Sequence, residues 1–227
     1  MSSRQAIHSG LLCLLLFTAA LPARAQDWGA FAERSGRADD PALVQALEEE
    51  DFSGRVLICA GIGRRDDPYA ADVIDWLLAR SAGEEKPRAE ILLRVMLNGL
   101  LDPARGQERI RTTVEENAAA LGSMIARIDT WTDPQLKAAL VRVFPAMPPT
   151  DVLPALLTVG TDLEDLLRTA GGTTSPAQAG LALDYLAAVE SMKARDCFEQ
   201  CAAIARLSRE KVVVDRARAV ARELLAE

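Results

Sequence analysis

"DPARGQERIRTTVEENAAALGSMIARIDTWTDPQLKAALVRVF", residues 102–144, is the stretch on which the fold class turns. It opens with Asp102-Pro103 and carries a second such pair at Asp133-Pro134. An aspartate carboxylate accepts from the free amide groups of a helix's first turn, and a proline loses nothing there, because its missing N–H has no partner to find. Each pair therefore predicts a helix start. Between them Ile110, Val114, Leu121, Ile125 and Ile128 recur at helical spacing and predict one long helix, while Leu136, Leu140 and Phe144 predict a second. The stretch reads as a helical hairpin.

Working outward, the same punctuation recurs at Asp40-Pro41 and Asp67-Pro68, with Ser175-Pro176 as its equivalent. Leu43 and Leu47, then Val56, Cys59 and Ile62, predict a first hairpin. Val73, Trp76 and Leu77, then Ile91, Leu92, Val95, Met96 and Leu100, predict a second. After the hairpin of 102–144, a fourth runs from Val152 through Leu167 and, past "AGGTTSP", from Leu181 to Val189. Cys197 to Ile204 and then Val213, Val220 and Leu224 supply a fifth. Alternating β-branched runs with Asn-Gly or Asp-Gly turns are missing, and the chain is rich in Ala, Leu, Arg and Glu, so the expected class is all-α. About five hairpins in series, with periods of roughly 27 to 46 residues, favour a stacked array over the alternative of a closed helical bundle.

Three stretches carry a family resemblance. "DFSGRVLICAGIG", residues 51–63, resembles the second helix of a HEAT repeat; "VDRARAVARELL", residues 214–225, is a second echo; and "TDVLPALLTVG" places Pro154 where a first helix of that family often has one. The resemblance extends over residues 40–227 and implies a right-handed α-solenoid that binds other proteins, usually without chemistry of its own. The irregular unit lengths, the long third helix and the Gly-rich loop of the fourth unit depart from the family pattern.

The N-terminus points to export. Arg4, the apolar run "GLLCLLLFTAAL" and the small-x-small "ARA" ending at Ala25 form the pattern of a cleavable signal peptide over residues 1–25. The apolar run is about a dozen residues, short of the roughly 20 a spanning helix needs, so no stable membrane insertion is expected after cleavage. Cys13 lies inside that run, not in a lipoprotein context. Residues 26–39 then form an N-terminal segment ahead of the repeat domain. Cleavage removes Arg4, Arg24 and His8, leaving 24 basic against 33 acidic residues, a net charge of −9. Such a surface argues against nucleic acid. It also leaves no imidazole to act as general base or metal ligand.

Little else resembles chemistry. In "RDCFEQCAAIARLSR", residues 195–209, Cys197 and Cys201 stand four apart. Two buried thiols, a local disulfide and a metal or redox site are the readings open to them. Partners at i and i+4 on a helix stand about 5 to 6 Å apart at Cβ, wider than the 3.5 to 4.5 Å of a disulfide, whereas an oxidising compartment favours pairing. "SREK", residues 208–211, fits a serine-x-x-lysine pattern but lacks its companion motifs, so Ser208 reads as a helix cap. "AAVESMK", residues 187–193, places Glu190-Ser191 as in the lytic transglycosylases, without the downstream Gly-Leu-Met-Gln segment. "AGIGRR", residues 60–65, carries Gly61 and Gly63, read as close-packing and C-cap positions. The expectation is an exported, non-catalytic scaffold or accessory subunit of an envelope complex, with protein partners, no cofactor, no metal and no catalytic residue. The alternative is a helical cell-envelope glycan hydrolase using Glu190.

Overall fold

A computed structural model of the chain describes residues 40–65 and 69–226. The signal peptide, Cys13, the segment 26–39 and the Asp67-Pro68 start all lie outside the described residues. The protein is all-helical, with eleven α-helices among the described residues: α1 (Asp40–Glu49), α2 (Phe52–Arg65), α3 (Ala70–Arg80), α4 (Lys86–Leu100), α5 (Gln107–Glu116), α6 (Ala118–Ile125), α7 (Pro134–Val141), α8 (Pro149–Thr169), α9 (Pro176–Met192), α10 (Phe198–Leu207) and α11 (Lys211–Ala226). The chain divides within α2, after Ile58, into two compact units.

In the first unit α2 starts where Asp51 accepts from the Gly54 amide at 2.8 Å, an acidic N-cap. Arg55 turns back from α2 and donates through Nε to the Leu47 carbonyl of α1 at 2.7 Å, satisfying one of the carbonyls a helix C-terminus leaves open.

The second unit is built of four hairpins, α3–α4, α6–α7, α8–α9 and α10–α11, packed in two layers. In one layer α3, α6, α8 and α10 follow one another; in the other α4, α7, α9 and α11 do so. The apolar stripes meet between the layers, with Leu77, Leu93, Met124, Leu140, Leu186 and Ile204 all at 1% exposure or less. The last turns of α2 lean on α4 backbone to backbone. A Cβ on Gly63 would stand 2.4 Å from the Met96 carbonyl oxygen, and one on Gly99 would stand 2.8 Å from the Gly63 carbonyl carbon. Arg105 seals this contact by donating to the carbonyls of Gly63 at 3.1 Å and Gly99 at 3.3 Å. Gly61, by contrast, faces open space, and α2 continues to Arg65, so neither glycine caps it.

Two expected helix boundaries move. Asp102-Pro103 opens a single 3-10 turn, Pro103–Arg105, whose Ala104 amide Asp102 accepts at 3.0 Å. Gly106, at φ 82°, then redirects the chain before α5 begins, because a left-handed residue cannot continue a helix. The expected long helix also divides, into α5 and α6. Asn117 stands between them at φ −108° and ψ 16°, and its buried side-chain amide donates to the Thr113 carbonyl at 2.9 Å. Asparagine competes with the helical ladder in this way. At Asp133-Pro134 and Ser175-Pro176 the expected starts stand, the first with Asp133 accepting from Gln135 at 2.8 Å and the second with a full capping box to Gln178.

Candidate functional site

Cys197 and Cys201 do not lie on one helix. Cys197 ends the 3-10 turn Arg195–Cys197 and precedes α10, while Cys201 sits one turn inside it. Both are free and fully buried. They lie beside Tyr185 of α9, whose hydroxyl makes no hydrogen bond of ordinary geometry. Burial pushes the Cys201 thiol up to about 12, with Cys197 adding to it. Burial likewise raises the Cys197 thiol, against the opposing effect of the Tyr185 hydroxyl, and it raises the Tyr185 phenol, with both thiols contributing. A neutral thiol is neither the nucleophile nor the metal ligand that a thiolate is. The cluster is closed further by Gly160 of α8, where a Cβ would meet the Tyr185 hydroxyl at 2.5 Å. These residues form a packed joint between α8, α9 and α10.

Glu190, at the end of α9, accepts a hydrogen bond from Arg216 of α11. The pair joins two successive hairpins on the surface of their layer, with side chains 30% and 38% exposed. Ser208 lies between α10 and α11, where its hydroxyl accepts from the Glu210 amide at 3.1 Å. The sequence suggested a cap on the last helix; α11 begins only at Lys211, and Ser208 instead follows the end of α10 and closes the turn ahead of α11. Trp131 is buried, its indole N–H donating to the Met124 carbonyl at 2.9 Å.

The same kind of tie recurs from hairpin to hairpin. Glu90 of α4, only 2% exposed, accepts from the Thr132 amide at 3.0 Å, the Thr132 hydroxyl at 2.9 Å and the Asp133 amide at 2.7 Å. It thereby satisfies the chain just ahead of α7. Arg142 at the end of α7 donates to Asn98 of α4 at 2.9 Å and stands 3.7 Å from Asp184 of α9. Lys137 of α7 donates to Asp162 of α8 at 2.6 Å. These ties leave no local sign in the sequence, because their partners stand 25 to 44 positions apart.

Several open grooves lie on this framework, two of them along α9, α10 and α11. One, of about 450 Å³, runs between α5, α7 and α9 and is lined by Ile110, Pro145 and Ala187 together with Arg142 and Asp184. Burial pushes the Asp184 carboxyl up from the usual carboxylate range, against the opposing pull of Arg142. The other, of about 940 Å³, lies along the outer side of α10 and α11. Glu190 lines neither groove. Both are open furrows along helix pairs, suited to an elongated protein segment more than to an enclosed small molecule.

In comparison with known proteins, no family model matches the chain, and neither a curated protein nor a solved structure is significantly similar to it.

Proposed function

We propose that this chain is an exported adaptor: a non-catalytic helical-repeat protein that holds one or more protein partners as a scaffold or accessory subunit of an envelope complex. The observation that carries the reading is the succession of hairpins in two layers. Arrays of this kind leave long surfaces on which partners lie, and their stability comes from contacts between neighbouring units. The ties through Glu90, Arg142 and Glu190 support it, since each spends a polar side chain on joining one hairpin to the next. The HEAT-like stretches and the right-handed solenoid they imply are part of this proposal. Export rests on Arg4, the apolar run and the "ARA" pattern.

A photo-crosslinking amino acid placed at Ala187, exposed in the α5/α7/α9 groove, and separately at Ala202, in the α10/α11 groove, tests the reading in the native host. The expected result is a discrete protein adduct from at least one position, on a chain whose first residue is Gln26. Absence of any position-dependent adduct would remove the adaptor reading. Recovery of the chain from the cytosol with Met1 in place would remove export.

A further inference from the structure

We infer that the outer groove of α10 and α11 is a docking site for an acidic amphipathic helix of a partner protein. The inference rests on the adaptor reading and names its surface and the chemistry of its partner. The outer side of α10 and α11 mixes exposed charged side chains with apolar surface. Leu225 is 70% exposed there. Phe198, Ala202 and Ala205 from α10 and Ala221 from α11 line the furrow beside it.

The spacing suits a helix. Arg218, Ala221, Arg222 and Leu225 stand at i, i+3, i+4 and i+7 and so share one face of α11, while Ala202 and Ala205 do the same on α10. Helix axes pack 8 to 10 Å apart according to the side chains between them, and alanines permit the closer approach. A helix laid between α10 and α11 would cover Phe198 and Leu225 and add a layer in the manner of one more unit.

The charge selects an acidic occupant. Residues 195–226 hold seven basic and five acidic side chains in a chain whose net charge is −7. Arg206, Arg218 and Arg222 all line the groove and are exposed, outnumbering Glu199 and Asp215 of the same lining; Asp215 is held by Lys211 and also feels Arg218, and Arg222 donates through Nε to the Arg218 carbonyl at 3.2 Å. Glu199 stands at the Phe198 end of the groove, so the acidic positions of the partner belong toward Arg206 and Arg218. A guanidinium offers a planar fork that carboxylates accept in pairs. The overall negative charge of the chain turns away nucleic acid, a longer polyanion, but not a short acidic helix.

The probe is a fluorescein-labelled synthetic helix of about four turns, with Leu at every third or fourth position and Glu on both flanks, titrated against the full chain by anisotropy. A matched peptide with every Glu replaced by Lys is the control. Wild-type protein is expected to bind the Glu peptide and not the Lys peptide. The exposed double substitution Arg218→Glu/Arg222→Glu should weaken binding by about tenfold or more, as should raising salt from about 0.05 to 0.5 M. Ala221→Trp, which fills the furrow without changing charge, should weaken it comparably, with circular dichroism unchanged in both variants. Equal affinity for the two peptides, or for wild type and the charge-reversed variant, overturns the inference. So does a concentration-dependent dimer that the same substitution abolishes, since the occupant is then a second copy of this chain. Protein adducts from Ala187 but none from Ala202 remove this groove and leave the adaptor reading standing; adducts from neither remove both.

Discussion

Replacing Glu90 with alanine tests whether the hairpins of the second unit are held together by polar clamps as well as by their apolar seams. The carboxylate accepts three hydrogen bonds, two from backbone amides and one from the Thr132 hydroxyl, from a position that is 2% exposed. A hydrogen bond to a charged group contributes about 1.5–3 kcal/mol, and a buried donor left without a partner costs about 1–3 kcal/mol. The three bonds share one carboxylate and are not additive. Thr132 itself is exposed, so water can reach part of what Glu90 leaves behind. The expected loss is therefore about 2–3 kcal/mol rather than the sum of the three. Glu90→Gln keeps the shape and one acceptor oxygen but turns an amide N–H toward a backbone donor, so it should cost about half as much. Urea unfolding followed by circular dichroism gives the difference, provided the slope with denaturant is unchanged. In a thermal scan the alanine variant should melt roughly 5–10 °C lower, at about 2–4 °C per kcal/mol. Hydrogen exchange should place the first loss of protection at the start of α7. An alanine variant within about 0.5 kcal/mol of wild type, as for an ordinary surface change, would refute the clamp.

Further outcomes follow from particular contacts. Gly99→Ala drives a Cβ to 2.8 Å from the Gly63 carbonyl carbon, backbone that cannot swing aside, and should destabilise by about 1–3 kcal/mol, whereas Gly61→Ala meets nothing within 4 Å and should be neutral or stabilising by up to about 1 kcal/mol. Burial raises the Cys59 and Cys201 thiols from 9.0 to about 12, so native protein should resist alkylation at pH 8 until denaturant is added. The unfolded chain releases these protons first, so the contribution of the buried thiols to stability is fully present below about pH 9 and is lost as pH rises from there toward 12; Cys59→Ala/Cys201→Ala should flatten that part of the pH profile. Deleting residues 194–227 uncovers α8 and α9, including Tyr185 and Leu186, both fully buried, and should leave a helical but aggregation-prone remainder on sizing and circular dichroism; complete loss of helicity at low temperature would refute the stacked arrangement.

Whatever in this fold is set within a few residues could be read from the sequence. Ser175 and Gln178 close a capping box three positions apart, and Asp133 accepts from an amide two positions on, so the starts of α9 and α7 were legible. The pairing of successive apolar stripes into hairpins was legible for the same reason, since 3.6-residue periodicity is a local property. Asp102-Pro103 shows where that reasoning stops. The cap forms as expected, but Gly106 three residues later takes a positive φ, and a capping pair cannot announce that its helix will last one turn. Asn117 ends α5 in a stretch of unbroken helical spacing because its side chain competes for the Thr113 carbonyl, a choice that depends on its being buried.

The candidate sites depended on contacts that sequence spacing does not encode. The four-position spacing of Cys197 and Cys201 suggested one helical face, yet Cys197 belongs to the turn before α10, and it is Tyr185, from another helix, that sits beside both thiols. The alternative reading of Glu190 as a hydrolase carboxylate rested on its neighbour Ser191; the contact its carboxylate makes is with Arg216, 26 positions on. Several long polar side chains of this protein reach from one hairpin to another, as Glu90, Arg142, Lys137 and Glu190 do. On α11, Arg222 instead turns back to the Arg218 carbonyl at 3.2 Å and Arg218 acts on Asp215 one turn earlier, whereas Arg142 of α7 meets Asn98 and Asp184 on other helices. Arg206, Arg218 and Arg222 line the outer groove of α10 and α11 beside the exposed Leu225, and it is from that local juxtaposition of charge and apolar surface, which no motif announced, that the acidic docking partner is inferred.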